Sequence, residues 1–274
     1  MYLQNLYPKP SCMEAGEGVF TFGAKLLMET DADLTPEEIG RLKILFSQFT
    51  YTASCLQVRT TEHRTQGPVR AVLAVGRTAS PEAVETRLSE NRYELQVLPR
   101  EIRIGAENGK ALMEAFSTLV QLVEPECLEE GKEDFRVQAV RITDRTSMGF
   151  RAIHLCVFPE TTPVHLKKAI RLAGFLKFTH VILEFWGMFP WRCLPELSWK
   201  RMAYSRKEVR ELISEIRSWG MEVIPMINHL GHATQSRASR GRHVVLDQAP
   251  RYAKLFEPDG WTWCVTNPDT LKLL

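Results

Sequence analysis

The side chains best placed for chemistry fall between Ser147 and His232. Arg151 opens an apolar run that continues to Phe158, Glu184 and Trp186 close a second run begun at Thr179, and Asn228, His229 and His232 follow a third, Met221 to Ile227. Short apolar strands with a polar residue at the end, alternating with helices, are how a parallel α/β barrel begins, and such barrels hold their chemistry at strand ends. Arg151 offers a planar fork of donors, with an ion pair at the barrel rim as the plain alternative. Glu184 can accept from a hydroxyl, or pair with Arg151 or Arg192. His229 and His232 are three apart, yet no third ligand accompanies them, so no metal and no other cofactor is expected. The chain has no GxGxxG, P-loop, HExxH or GxSxG motif, which leaves nucleotide, zinc-protease and serine-hydrolase chemistry without support.

The elements that must position these residues can be read from periodicity. Ala152 to Phe158, Thr179 to Phe185 and Met221 to Ile227 are expected strands. Between the first two, Thr162 can cap a helix from Pro163 that turns Leu166, Ile170, Ala173 and Leu176 inward. Ser205-Arg-Lys-Glu208 is a capping box, opening a helix with Val209, Leu212, Ile213 and Ile216 on one face and Gly220 after its end. Asn267 is positioned to cap a further helix from Pro268. A closed (β/α)₈ barrel needs roughly 250 residues, and Ser147 to Leu274 supplies about half of that. The expectation is therefore an incomplete TIM-type barrel of about three β/α units, the N-terminal portion of a longer protein or a chain that needs a partner.

Ahead of the barrel, residues 1–33 read as turn-rich, with Val19 to Phe22 as an edge strand. Thr35-Pro-Glu-Glu38 is a helix start, and Ile39, Leu42, Leu45, Phe46 and Phe49 follow at helical spacing. Val69 to Val75, closed by Gly76, reads as a buried strand. Tyr93, Leu95 and Val97 alternate with polar residues and the pattern resumes at Ile102 and Ile104, which predicts a hairpin. A helix is expected over Lys110 to Val123. These elements make a small α+β domain over 1–124, followed by a charged connector over 125–146 with a strand at Phe135 to Ile142, and then the barrel portion over 147–274.

Composition narrows the partners. In 274 residues, Lys+Arg 35 against Asp+Glu 33 gives a formal charge of +2, so nothing in the balance draws the chain to nucleic acid or to an anionic membrane. Arg237 to His243 is basic but lacks aromatic interleaving, and reads as a loop over the active face. Six scattered cysteines without a CxxC fit reduced thiols, and Met1 to Pro8 lacks a signal-peptide pattern, so a cytoplasmic location is expected.

Several of these stretches resemble a known family. Tyr93-Glu-Leu-Gln-Val97, Ile102-Arg-Ile104, Gly109 and Thr118-Leu-Val-Gln-Leu122 look like the small domain that precedes the barrel in family 20 glycoside hydrolases, the β-N-acetylhexosaminidases. Phe150-Arg-Ala-Ile-His-Leu155, Phe178 to Glu184, Phe189-Pro-Trp-Arg192, Tyr204 to Leu212 and Gly220 to His232 are similar to the first three barrel units. The resemblance implies removal of terminal β-linked N-acetylglucosamine or N-acetylgalactosamine, with the substrate's own acetamido oxygen attacking the anomeric carbon. It further implies that Arg151 grips sugar hydroxyls, that Asn228 lines the pocket, with capping of the loop backbone as the alternative, and that His232 hydrogen-bonds toward the proton donor, with a backbone-satisfied loop histidine as the alternative; Glu184 and His229 are further candidates for contact with the sugar. Trp191, Trp261 and Trp263 offer flat faces on which a sugar can stack, with core or interface packing the better reading for at least one of them. The family's Asp-Glu pair lies after a fourth strand; here the only adjacent Glu and Asp are Glu133-Asp134, in the wrong order and context. Gly187, Ala152 and Cys156 also depart from the pattern, where relatives carry Asp, Gly and Asp. Two alternatives stand beside this reading: a non-catalytic carbohydrate-binding or partner-dependent chain, and another barrel glycosidase family such as the α-glucuronidases or O-GlcNAc hydrolases.

Overall fold

The computed structural model describes residues 6–23, 25–49, 55–61, 68–75, 81, 92–129, 132–192, 194–199, 201–228, 231–234, 236–237 and 242–273. Gly76 and His229, both singled out by the sequence, lie outside these. The chain divides into two compact units, one of Met1–Gly149 with Phe175–Lys177, the other of Phe150–Gly174 with Phe178–Leu274. No helix among the described residues is long and apolar enough to cross a membrane.

The first unit is an eight-stranded sheet with two helices. Its strands are β1 (Cys12–Phe22), β2 (Lys25–Thr30), β3 (Cys55–Thr60), β4 (Val69–Ala74), β5 (Arg92–Leu98), β6 (Glu101–Ala106), β7 (Glu124–Glu129) and β8 (Lys132–Arg145), in the order β1-β8-β5-β6-β4-β2-β3 with β7 on β8. Helix α1 (Pro36–Phe49) joins the parallel pair β2 and β3. Thr35 and Glu38 close its capping box: Glu38 N donates to Thr35 Oγ1 at 3.2 Å and Thr35 N to Glu38 Oε2 at 2.8 Å. Helix α2 (Gly109–Leu122) starts at Asn108, whose side chain accepts from Ala111 N at 2.9 Å. Its Leu112, Phe116, Leu119 and Val120 are buried with Phe20, Phe22, Phe46, Leu95 and Ile104. Tyr93, within this core, donates to Asp144 at 3.1 Å and accepts from Lys177 Nζ at 3.0 Å.

The edge strand expected at Val19 to Phe22 is the end of β1, which lies at the edge of the sheet and pairs along β8 through a bulge between Ala15 and Val19; the described part of residues 1–33 holds β2 as well, so it is less turn-rich than expected. The connector expected over 125–146 is instead β7 and β8; the strand expected at Phe135 to Ile142 lies within β8, a 14-residue strand between β1 and β5. Phe135, Val137, Ala139 and Ile142 are buried while Arg136, Gln138 and Arg141 alternate with them, so the charges belong to the outer face of a long strand.

The second unit is built on three parallel strands, β9 (Ala152–Val157), β10 (His180–Phe185) and β11 (Glu222–Met226), in that spatial order. Helices α3 (Pro163–Phe175) and α4 (Arg206–Ser218) are the two crossovers. Thr162 caps α3 through His165 N at 3.3 Å, and the Ser205–Glu208 capping box of α4 is complete. Leu166, Ile170 and Ala173 of α3 and Val209, Leu212 and Ile216 of α4 are buried, as are Val181 and Leu183 on alternate positions of β10. Each such aliphatic contributes about 1.5–3 kcal/mol by leaving water. Tyr204 is buried beside the start of α4, and its hydroxyl donates to the Thr161 carbonyl.

Beyond β11 the chain forms a short ladder of β12 (Ser236–Arg237) with β13 (Arg242–His243), then α5 (Val244–Gln248) and α6 (Pro268–Leu273). Asn267 caps α6, accepting from Asp269 N at 2.9 Å. A second apolar cluster joins Leu194, Ala233, Val245, Leu255, Phe256 and Trp263.

Candidate functional site

The parallel pairing of β9, β10 and β11 decides which side chains meet. Cys156 lies level with Glu184, and Glu184 with Met226; two residues earlier, His154 lies level with Ile182. Paired residues project from the same face, so His154, Cys156 and Glu184 share one side of the sheet. The opposite side carries Val157, Val181 and Leu183, all buried.

Glu184 is the centre of this face. Its side chain is 5% exposed; Asn228 Nδ2 donates to Oε1 at 2.7 Å and the Cys156 thiol to Oε2 at 3.3 Å, and His154 Nε2 lies 2.9 Å from Oε2. Desolvation raises the proton affinity of this carboxyl, but the hydrogen bonds from Asn228 and Cys156 and the nearby His154 outweigh it, and the net shift is downward. Glu184 is therefore held as a carboxylate. The same burial, with the hydrogen bond to Glu184, pushes the Cys156 thiol up and keeps it protonated. Asn228, two residues past the end of β11, thus has its amide fixed by an anion.

The second feature is His232. Its backbone is left-handed, with φ +52°, and its ring lies 3.8 Å from the Trp261 ring centroid and 4.7 Å from that of Trp186. The approach of Trp261 depends on Gly231, because a Cβ there would lie 2.9 Å from Trp261 Nε1. His232 Nδ1 is buried and has no hydrogen-bond partner among the described residues. A buried ring nitrogen left unpaired costs about 1–3 kcal/mol, which a ligand's hydroxyl or carboxyl would recover.

The other residues singled out by the sequence are distributed differently. Arg151 sits at the opposite end of β9, where its backbone N–H donates to Thr179 Oγ1 at 2.9 Å and its carbonyl accepts from Thr179 N at 2.8 Å. Five strand residues at about 3.3 Å each separate it from the level of Glu184. Trp191 is partly buried against Phe189, with ring centroids 4.7 Å apart. Trp263 is corrected from a sugar platform to a core residue: it is 5% exposed and stacks on Phe256 at 4.2 Å, so its faces are already covered. Gly187 has φ +73°, and a Cβ there would meet Val244 Cγ2 at 2.8 Å. No aspartate fits that backbone without movement.

Sequence reasoning passed over His154 as a site residue and met Cys156 only as a departure from the family pattern. The signal was present in the period-2 alternation of the first strand, which puts both on one face.

The two units, one a mostly antiparallel sheet with two helices and the other a parallel βαβαβ array, are similar in fold to part of solved β-N-acetylhexosaminidases. The Streptomyces plicatus β-hexosaminidase, a mutant solved with N-acetylglucosamine, superposes with a TM-score of 0.68 at 18% identity over 98% of this chain and 55% of that one. The Bacteroides fragilis β-N-acetylhexosaminidase gives 0.64 at 21% identity over 97% of this chain and 51% of that one, and the Flavobacterium johnsoniae chitobiase 0.67 at 16% over 100% and 42%. The chain thus spans about half the length of the solved structures it matches. Residues 3–145 match glycosyl hydrolase family 20, domain 2, and the chain belongs to that family. No curated protein sequence matches it.

Proposed function

We propose that the chain supplies the first domain and the opening β/α units of a (β/α)₈ barrel to a glycoside hydrolase of the β-N-acetylhexosaminidase type. Its substrate would be a terminal β-linked N-acetylglucosamine or N-acetylgalactosamine. The observation that carries this reading is His232, in the segment after β11, walled by Trp186 and Trp261 with a buried nitrogen that has no partner among the described residues. Aromatic walls with a polar donor or acceptor between them suit a sugar, whose ring has apolar faces and a hydroxylated edge.

In such an enzyme the acetamido oxygen of the substrate attacks the anomeric carbon while an acid protonates the leaving oxygen. The residues of this chain bind and orient. His232 exchanges a hydrogen bond with the sugar or with the acid. Asn228 meets a sugar hydroxyl, and Glu184, whose oxygens already accept from Asn228 and Cys156 and face His154, acts as a positioning residue that fixes the Asn228 amide. The role of Arg151 as a hydroxyl contact rests on the family resemblance. The adjacent carboxylates Glu133 and Asp134 lie in β8 of the first unit, so they are not candidates for the acid pair.

The test is release of the chromophore from aryl β-N-acetylglucosaminides and β-N-acetylgalactosaminides. The protein extended past Leu274 is expected to turn them over, and residues 1–274 alone are not. An extended protein inert on both refutes the reading. A second reading, carbohydrate binding without catalysis, is favoured by Gly187, whose positive φ and close neighbours leave no room for a carboxylate. Calorimetry with N-acetylglucosamine on the extended protein separates the two: heat of binding without turnover supports the second.

A further inference from the structure

We propose that His154 Nε2, Cys156 Sγ and Glu184 Oε2 form a three-ligand site for a divalent transition metal of the zinc class. The inference goes beyond the sugar reading and does not depend on it. The three ligand atoms all lie within 4.8 Å of one another. Their separations are 2.9 Å between His154 Nε2 and Glu184 Oε2, 3.3 Å between Cys156 Sγ and Glu184 Oε2, and 3.8 Å between Cys156 Sγ and His154 Nε2.

Those lengths can be set against a tetrahedron. Bonds of about 2.3 Å to sulfur and about 2.0–2.2 Å to nitrogen and oxygen give edges of roughly 3.4 Å for nitrogen to oxygen and roughly 3.6 Å for either to sulfur. Each observed separation is within about 0.5 Å of its edge, a smaller change than a side-chain rotation supplies. The backbone work is done by the sheet: two ligands at i and i+2 of β9 and the third paired with Cys156 across β10.

The chemistry of the set is selective. A thiolate with an imidazole and one carboxylate suits Zn²⁺ or Co²⁺, and disfavours Mg²⁺ and Ca²⁺, which want oxygen alone. Binding releases the Cys156 thiol proton to solvent, and the resulting thiolate with the Glu184 carboxylate balances the two charges of the cation. Asn228, donating to the other oxygen of Glu184 at 2.7 Å, supplies the outer hydrogen bond that orients a ligating carboxylate. Glu184 is buried, whereas the His154 side chain is 42% exposed, so the fourth position opens on the His154 side, toward solvent or a ligand.

The experiment uses the purified chain, stripped with a chelator and titrated with Co²⁺. One equivalent is expected to bind, with the visible absorption of tetrahedral cobalt and a near-ultraviolet thiolate-to-cobalt band, both displaced by Zn²⁺ but not by Mg²⁺. Cys156→Ser should abolish the thiolate band, His154→Gln should weaken Zn²⁺ binding, and Asn228→Ala should weaken it about 10–100-fold. Cys264→Ser, on a different segment, should change nothing. A wild-type spectrum without the thiolate band, or a band that survives Cys156→Ser and is lost in Cys264→Ser, overturns the proposal. The wild-type spectrum decides even if a variant fails to fold, and sugar turnover is read separately.

Discussion

Replacing Asn228 with Ala removes one hydrogen bond and isolates its energetic effect. Asn228 Nδ2 donates to Glu184 Oε1 at 2.7 Å, and the acceptor is a carboxylate with a side chain only 5% exposed. A hydrogen bond to a charged group contributes about 1.5–3 kcal/mol, and here the loss also leaves part of a buried anion without its donor. We expect Asn228→Ala to lose about 2 kcal/mol of unfolding free energy at neutral pH, roughly a 30-fold change in the folding equilibrium. Asn228→Asp should lose more, because it sets a second carboxylate against Glu184. The assay is urea unfolding followed by tryptophan fluorescence, in buffer containing a chelator so that no metal contributes. Asn228→Ala within about 0.5 kcal/mol of wild type, or Asn228→Asp as stable as Asn228→Ala, would refute the reasoning about Glu184 as a buried anion.

Gly231→Ala should push Trp261 off His232, since the added Cβ would lie 2.9 Å from Trp261 Nε1, costing about 1–3 kcal/mol of overpacking and weakening N-acetylglucosamine binding by calorimetry. Burial, and then the charge of Glu208, push the Tyr204 phenol up to about 12 from an ordinary value of 10.0. A raised folded-state value means its contribution is complete below pH 10 and is lost as pH climbs toward 12, so the stability difference between wild type and Tyr204→Phe should shrink across that window. A difference that stays constant with pH would show that the phenol does not titrate in this way.

Much of the architecture was legible because local chemistry and burial agree. The capping boxes at Thr35–Glu38 and Ser205–Glu208 mark helix starts that the structure contains, and the apolar runs at 152–158, 179–185 and 221–227 contain the three parallel strands. The strand expected at Phe135 to Ile142 lies within β8, but its place in the first unit's sheet was not legible, because Arg136 and Arg141 among apolar residues suit a charged connector and only pairing with β1 and β5 reveals a central strand. Which tryptophan packs inside was not legible for a related reason: nothing in Trp-Thr-Trp tells which indole stays at the surface, and the cluster that covers Trp263 draws Leu194, Ala233 and Val245 from other segments. The Glu184–Asn228 contact spans 44 residues and depends on strand order, which no local pattern carries.

The polar cluster on the sheet also bears on how the sheet finds its alignment. Apolar strands slide past one another at little cost, since aliphatic side chains two residues apart are nearly interchangeable. Glu184 is not interchangeable: displaced by two residues along β9, it would lie level with His154 or Phe158 instead of Cys156, and the buried carboxylate would lose its fitted set of donors. The group that gives this face its chemistry is thus also a pin that penalises misaligned pairing during folding, in the way a single polar residue fixes the alignment of a coiled coil.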